Sequence, residues 1–286
     1  MLQSFLACGC CVMLQKFSVL MSLYNAENSD FLEQCFMSIS TQVLKPTELV
    51  LVLDGPINPD LHQVISRWVN ALNIVIVPLE HNVGLSKALN HGLHFCNYEL
   101  VARMDTDDIC YPERFIKQIE FMTNNGDIDI LGGYCEDITV CGEIIKVRKV
   151  PTEHDLILKS IWTCPFIHPS VIFRKSKILS IGSYSENAPH RQDDYELWIR
   201  AAFAGFRFSN LPSVLIKYRV PVDAYKKNTV AVGYNRIRIG FRAVIAFDPK
   251  FSSFLGLFYP FFRALLPYRY QASLAKLANH FDPRSH

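Results

Sequence analysis

Three carboxylates fall within four residues at Asp105-Thr106-Asp107-Asp108, directly after the apolar run Glu99–Met104. Charges that close repel one another unless a cation lies among them. A hard divalent ion accepts carboxylate oxygens, and Mg2+ in particular is held by one or two of them together with substrate phosphates. An isolated D-x-D is otherwise a solvated acidic turn, and Arg103 offers one of these acids a purely structural partner. A second acidic pair, Asp193-Asp194, opens the stretch Asp193–Ala204. Acids in a helical first turn stabilise the helix dipole. Asp194 also shares one face with Leu197, Trp198 and Ala201, which would set it at the edge of an apolar anchor.

The elements that must carry these residues alternate in type. Continuously apolar runs occur at Phe17–Ser22, Glu48–Leu53, Ile74–Leu79, Glu99–Met104 and Ile128–Gly133. Between them lie Asp30–Gln42, Pro59–Leu72, Leu85–Cys96 and Pro112–Asn124, with apolar residues three and four apart. Strands of that composition are buried on both faces. Their order with the helices predicts an α/β fold with a mainly parallel sheet flanked by helices. Ligands of such sheets bind beyond the C-terminal strand ends. Polar residues gather there: Ser22–Asn25, Asp54-Gly55, His81–Gly84 and Asp105–Asp108. After Gly133 the pattern predicts hairpin strands over Tyr134–Val150 and a short helix near Glu153–Ile161. A strand at Ser170–Arg174, a helix at Asp193–Ala204 and strands within Phe206–Tyr218 follow.

With 286 residues, half of them hydrophobic and a formal charge of +2, the chain is expected to bury a core and not to bind nucleic acid. Its charge is unevenly spread. Between Arg207 and Arg269 eleven basic residues face only Asp223 and Asp248, which suits a phosphorylated partner, an anionic membrane surface or an ordinary solvated face. Nine scattered cysteines without zinc-site spacing read as reduced thiols of a cytosolic protein. Met1–Leu14 is apolar but lacks a basic n-region and an A-x-A site, and is read as a loose extension. The aromatic segment Phe251–Tyr270 is interrupted by Pro260, Arg263 and Pro267, short of the ~20 apolar residues of a spanning helix. It either lies on a membrane or packs on the main domain.

These motifs together resemble the bacterial family 2 glycosyltransferases of the GT-A fold. Ser22-Leu23-Tyr24-Asn25-Ala26-Glu27 is similar to the family's first-strand motif, and Glu48–Gly55 to its second. Asn82-Val83-Gly84-Leu85-Ser86, continuing to Asn90 and Gly92, resembles its N-x-G helix start. Asp105-Thr106-Asp107 matches the DxD, His168-Pro169-Ser170 an acceptor-side motif, and Asp193–Trp198 the acidic ED motif, with Asp193 where Glu is usual. The resemblance covers about Phe17–Tyr218. It implies that Ser22, Tyr24, Glu27, Asp54, Asn82, Asp105 and Asp107 bind the nucleotide-sugar, that Asp107 is the direct ligand of Mn2+ or Mg2+, and that Asp194 is the catalytic base.

The implied organisation is an N-terminal extension (1–15), a GT-A domain (16–220) and a helical, basic and aromatic C-terminal extension (221–286). The implied reaction is inverting transfer of a hexose, galactose or glucose, from a UDP-sugar to a polyprenyl-diphosphate-linked saccharide during surface polysaccharide synthesis. The implied location is the cytoplasm, peripheral on the inner face of the membrane. Absence of Q-x-x-R-W favours single addition over processive synthesis. A nucleotidyltransferase is the alternative enzyme, but Ser22–Glu27 contains no glycine for a phosphate loop. A non-catalytic sugar-nucleotide binder on the same fold would be expected to lack Asp107 or Asp194. Absence of G-x-G-x-x-G disfavours a dinucleotide-binding dehydrogenase.

Overall fold

Strands apolar on both faces need a layer of helices on each side, and the chain supplies two. The computed structural model describes residues 15–189, 191–221 and 229–266. The extension over residues 1–14, the pair Lys226-Lys227, and the aromatic and basic residues after 266 lie outside the described residues. In chain order the elements are β1 (Phe17–Leu23), α1 (Ser29–Ser40), β2 (Glu48–Leu53), α2 (Pro59–Trp68), β3 (Ile74–Pro78), α3 (Leu85–Phe95) and β4 (Leu100–Arg103). There follow β5 (Ile109–Cys110), α4 (Arg114–Asn124), β6 (Ile130–Ile138), β7 (Ile144–Arg148) and α5 (His154–Lys159). Then come β8 (Ile172–Arg174), α6 (Lys175–Ser180), α7 (Asp193–Phe203), β9 (Phe208–Arg219), α8 (Val230–Phe247) and α9 (Phe251–Leu265), with 3-10 turns at Ile161–Thr163 and His168–Ser170.

The sheet runs β3-β2-β1-β4-β8-β6-β9-β5, with β7 paired to β6. Its first four strands are parallel, as expected; the second half is mixed, with only β6 and β9 parallel. Leu23 pairs with Leu53 and Leu53 with Pro78, so three strands end level. Arg103 is level with Leu20, so the acids after β4 continue beside the end of β1. Alternation along the strands splits the core. Val19, Met21, Leu49 and Leu51 pack with α1, α2 and α4; Leu20, Val50, Val52 and Val101 pack with α3 and α7. Asn28 and Asn58 cap α1 and α2 by accepting first-turn N–H groups, which fixes where those helices start. Under the sheet, the buried Glu48 accepts hydrogen bonds from Ser18 Oγ (2.6 Å) and from the backbone and side chain of Asn97 (both 2.7 Å), leaving neither oxygen bare.

Two prolines behave differently from expectation, and each difference has a backbone reason. The strands expected within Phe206–Tyr218 form one strand. Its pairing with β6 jumps from Leu211, opposite Gly133, to Val214, opposite Tyr134, so Pro212 sits in a bulge where its missing N–H breaks no ladder bond. Helix α9 continues through Pro260 rather than stopping, although proline there removes the donor that the Gly256 carbonyl would use. Helices α8 and α9 place Ala243, Val244 and Leu257 in the same core as α3 and α7.

Gly92 lets α3 lie close on the sheet. A Cβ there would come within 2.5 Å of Val52 Cγ2 and 2.7 Å of Leu20 Cδ1, both buried strand side chains. Gly92→Ala should therefore destabilise the protein by about 1–3 kcal/mol despite alanine's better helix propensity. An unchanged urea midpoint would show that α3 can shift away from the sheet.

Candidate active site

The acid cluster is delivered by β4, and its geometry follows from how β4 ends. The Met104 N–H donates to the Leu20 carbonyl (3.2 Å), continuing the pairing past the last strand residue. Asp105, Asp107 and Asp108 then each bring a carboxylate oxygen within 4.8 Å of the others. Arg103, 2% exposed, forms an ion pair with Asp105, as the structural reading of that arginine anticipated. Asp108 is fully buried; one oxygen accepts the Arg219 N–H (2.8 Å) and the other, Oδ2, has no hydrogen-bond partner.

Arg219, at the end of β9, locks the loop from outside. Its guanidinium donates to the carbonyls of Asp107 (2.9 Å) and Val140 (2.9 Å) and to Gln34 Oε1 (3.0 Å), and lies 3.9 Å over the Phe31 ring. Residue types did not reveal this clasp, because its partners are 79 to 185 positions away.

Crowded carboxylates hold their protons. Burial, then the charge of Asp105, pushes Asp107 up to about 6. Burial, then Asp105 and Asp107, raises Asp108 well above the carboxylate range. Glu27, on the loop after β1, joins them: burial, then Asp107 and Asp105, pushes it up to about 7. Tyr24 is raised by burial, Glu27 and Asp107, which places it beside the same group. A divalent cation fits here. It would relieve the mutual repulsion and give the orphaned Asp108 oxygen and the half-buried Asp107 something to bind.

On the nucleotide side, Ser22 is half-buried at the end of β1 and Tyr24 is exposed. Asp54 is buried, and both its oxygens are engaged: Oδ1 accepts the Val83 N–H (2.7 Å) and Oδ2 the Gly84 N–H (3.1 Å). Asn82 returns a side-chain bond to the Asp54 carbonyl (3.3 Å). Between the two loops Gly55 has φ +86°, and a Cβ there would come within 2.7 Å of the Asn82 nitrogen. Asp54 and Asn82 thus shape the loop that starts α3.

The acceptor-side motifs meet across a cleft of about 1110 Å³ whose walls include Asp105 and Asp194. Ser22, Tyr24, Glu27, Asp54, Asn82 and Asp107 are not among its lining residues. Asp193 accepts a hydrogen bond from Ser86 Oγ at the start of α3, joining the N-x-G and acidic motifs. Both oxygens of Asp194 accept hydrogen bonds: Oδ1 from the Tyr195 N–H (2.8 Å) and Oδ2 from the Cys164 thiol (3.7 Å). Burial raises its carboxyl above the ordinary value; the Tyr195 N–H, Arg103 and Arg236 work against the rise, and Asp193 adds to it. His168 also lines the cleft, with Nε2 2.8 Å from the Tyr184 hydroxyl, and burial followed by Arg103 holds it neutral, well below the usual range. Asn90 and the Tyr184 backbone exchange two hydrogen bonds (2.8 and 2.9 Å), which gives that motif residue a structural task.

The model of the family described as glycosyl transferase family 2 matches residues 18–181. The amylovoran biosynthesis glycosyltransferase AmsE of Erwinia amylovora is 44% identical over 223 residues, 78% of this chain and 82% of that one. An Escherichia coli protein named UDP-Gal:alpha-D-GlcNAc-diphosphoundecaprenol beta-1,3-galactosyltransferase is 36% identical over 74% of this chain and 77% of its own. The fold is similar to that of the mannosyltransferase PcManGT from Pyrobaculum calidifontis, solved with GDP-Man and Mn2+. The TM-score is 0.62 at 16% identity, covering 93% of this chain and 74% of that one.

The raised acids make a signed prediction. Between an unfolded value of 4.5 and a folded value of about 7, Glu27 keeps its proton only in the folded state, so its contribution to stability falls as pH rises through that window. In EDTA, Glu27→Gln should therefore gain melting temperature relative to wild type as pH is raised from 4.5 to 8, and Mn2+ should raise the wild-type melting temperature most at pH 8. A difference between variant and wild type that stays flat with pH would mean that Glu27 is not strained by its neighbours.

Proposed function

The chain belongs to glycosyl transferase family 2, and from that membership we propose that it transfers a hexose from a UDP-sugar, with inversion, to a saccharide on a lipid diphosphate. The observation that carries this reading is a pair of acid groups from different halves of the chain: the Asp105–Asp108 cluster after β4, which reaches the cleft through Asp105, and Asp194 at the start of α7, which lines the same cleft. Support for donor and acceptor comes from the name of the Escherichia coli relative, and relatives in polysaccharide synthesis support the pathway class. Galactose is the donor sugar of that relative, with glucose the alternative here.

In the proposed reaction Asp194 accepts the proton of the acceptor hydroxyl as its oxygen attacks the anomeric carbon. The bond to the diphosphate breaks on the opposite side, and UDP leaves. Desolvation suits Asp194 to this work, since a raised carboxyl is the stronger base near neutral pH. Asp193, tied to Ser86, fixes the helix start on which Asp194 sits. Asp107, with Asp105 and Asp108 beside it, would hold Mn2+ or Mg2+, which neutralises charge on the departing diphosphate. Ser22, Tyr24 and Glu27 would flank the nucleotide, and Asp54 and Asn82 would present the α3 loop to it.

Within a domain organisation of 16–220 followed by a helical extension, we assign that extension to the inner membrane face. Among the described residues no helix is long and apolar enough to cross a membrane. Helix α9 instead divides its rings. Leu257 is buried and Phe254 and Phe258 pack against the core, whereas Phe251, Leu255, Phe262 and Leu265 are exposed. On α8, Tyr234, Phe241 and Ile245 are exposed alongside Arg238 and Arg242. One face is packed on the core, as the packed-helix reading expects, and the exposed face is the one to which the membrane reading is proposed to apply. Exposed rings among cations suit anionic headgroups.

Two measurements test these readings. Asp194→Asn should keep UDP-sugar affinity while losing roughly 10²–10⁴-fold in kcat; because the carboxyl is raised, the acid limb of the wild-type kcat profile should lie above the ordinary aspartate value. Loss of donor affinity in this variant would place Asp194 in the nucleotide site instead. Separately, the protein should sediment with anionic vesicles at low salt and be released at high salt, and Phe251→Ser/Leu255→Ser/Phe262→Ser should weaken that binding without unfolding. Equal sedimentation of the triple variant would move the membrane contact elsewhere.

A further inference from the structure

Several cations line the cleft that holds Asp194, Lys87 and Lys149 among them, and two of its arginines are taken up in ion pairs. Arg103 pairs with Asp105, and Arg148 with Asp137 (2.5 Å). Among the described residues Arg236, on α8, lines the same cleft without an ion pair. Its guanidinium is nevertheless held in place: it lies 4.5 Å over the Tyr195 ring and donates to the Trp162 carbonyl at 3.4 Å. Tyr195 is the residue next to Asp194, and its own hydroxyl donates to the same Trp162 carbonyl (2.8 Å). A planar guanidinium stacked on a ring, half-buried, whose charge reaches Asp194 but which forms no ion pair among the described residues, is prepared for an anion.

The chemistry at this point selects which anion. The proposed reaction contains two diphosphates. The donor's must lie beside the acid cluster, where a cation would neutralise it. The acceptor's must lie on the Asp194 side, because Asp194 takes the proton from the acceptor sugar. If the reacting hydroxyl and the diphosphate are on the same sugar, only one ring separates them, and the phosphates then fall at the residues flanking Asp194. With a longer saccharide they lie further from Asp194 by each added ring.

Resting on the proposed transfer reaction, we propose that Arg236 binds the acceptor's diphosphate, and that the acceptor is therefore a monosaccharide joined directly to its lipid diphosphate. The enzyme then adds the second sugar, and its substrate must be supplied by a reaction that places a sugar phosphate on a lipid phosphate. This assigns to α8, which follows the residues matched by the family model, a part in choosing the acceptor.

The test compares three alkyl-linked acceptors: a monosaccharide diphosphate, a disaccharide diphosphate and a neutral monosaccharide glycoside. Wild type should favour the first by kcat/KM. Arg236→Gln should raise KM for it roughly tenfold or more, with kcat less affected, so that its preference over the neutral glycoside shrinks. Arg236→Lys, which keeps the charge, should recover part of the preference. Direct calorimetric binding of the monosaccharide diphosphate to folded wild type and Arg236→Gln reads the anion site without turnover, separating failure of this site from failure of the transfer reaction. Equal binding to both proteins overturns the proposal, as does a variant that loses kcat on charged and neutral acceptors alike, which would mean Arg236 acts through Asp194. Wild-type preference for the disaccharide diphosphate overturns the assignment of the acceptor.

Discussion

A buried guanidinium among five carboxyl groups is the constraint on which the site depends. Arg103 ends β4 with almost no exposure, paired to Asp105, and two of its nitrogens, Nε and Nη1, have no hydrogen-bond partner. Burying a charge in that way is costly unless opposite charge compensates it. Here the compensation is shared, because the same guanidinium works against the upward shift of Glu27, Asp107, Asp108 and Asp194. It also keeps His168 neutral, after burial itself. One cation thus touches the electrostatics of both acid groups, though they come from different halves of the chain. Compensation is incomplete, as the raised acids show, and an incompletely compensated cluster is one that still attracts a metal ion.

Hydrogen bonds between distant segments then hold the two sides together. Asp54 grips the backbone at Val83 and Gly84, which places the start of α3; from there Ser86 reaches Asp193 and places the start of α7. Asn90, one turn further along α3, clamps Tyr184, and Tyr184 meets His168. Helix α3 therefore acts as a strut between the nucleotide loops and the acceptor wall, and its close seating at Gly92 sets the height of that strut on the sheet. A motif residue such as Asp54 can contribute to binding through the loop it holds as well as through its own side chain.

Much of this architecture was legible in the residues because it is local. Runs such as Leu49-Val50-Leu51-Val52-Leu53 are apolar at every position, the composition of a strand with both faces covered. Asp105–Asp108 and Asp193-Asp194 were legible because like charges packed so tightly need a reason. What escaped was non-local or ambiguous. Arg219 and Arg236 look like any other residues of a basic segment, and only folding shows that one clasps the acid loop and the other lies over Tyr195. Pro212 and Pro260 were ambiguous because proline forbids a hydrogen bond without forbidding the element, so long as a bulge or a free carbonyl absorbs the loss. The aromatic segment offered two readings because composition gives no direction; packing of Leu257 inward and Phe262 outward supplies it.

Helix α8 ties the acceptor's chemistry to its location. A lipid diphosphate keeps its phosphates at headgroup level, so an enzyme that uses one must bring its cleft to that level without entering the hydrocarbon. Arg236 lines the cleft, while Phe241 on the same helix is exposed beside Arg242. Five residues separate Arg236 from Phe241, roughly 7–8 Å along a helix axis. Rings seated at the boundary between headgroups and acyl chains would thus hold the proposed anion site within a headgroup's reach of the surface. Because Ala243, Val244 and Leu257 pack in the same core as α7, that offset is fixed, and under the proposed function docking of the outer face would also orient Asp194 toward an acceptor arriving from the membrane plane.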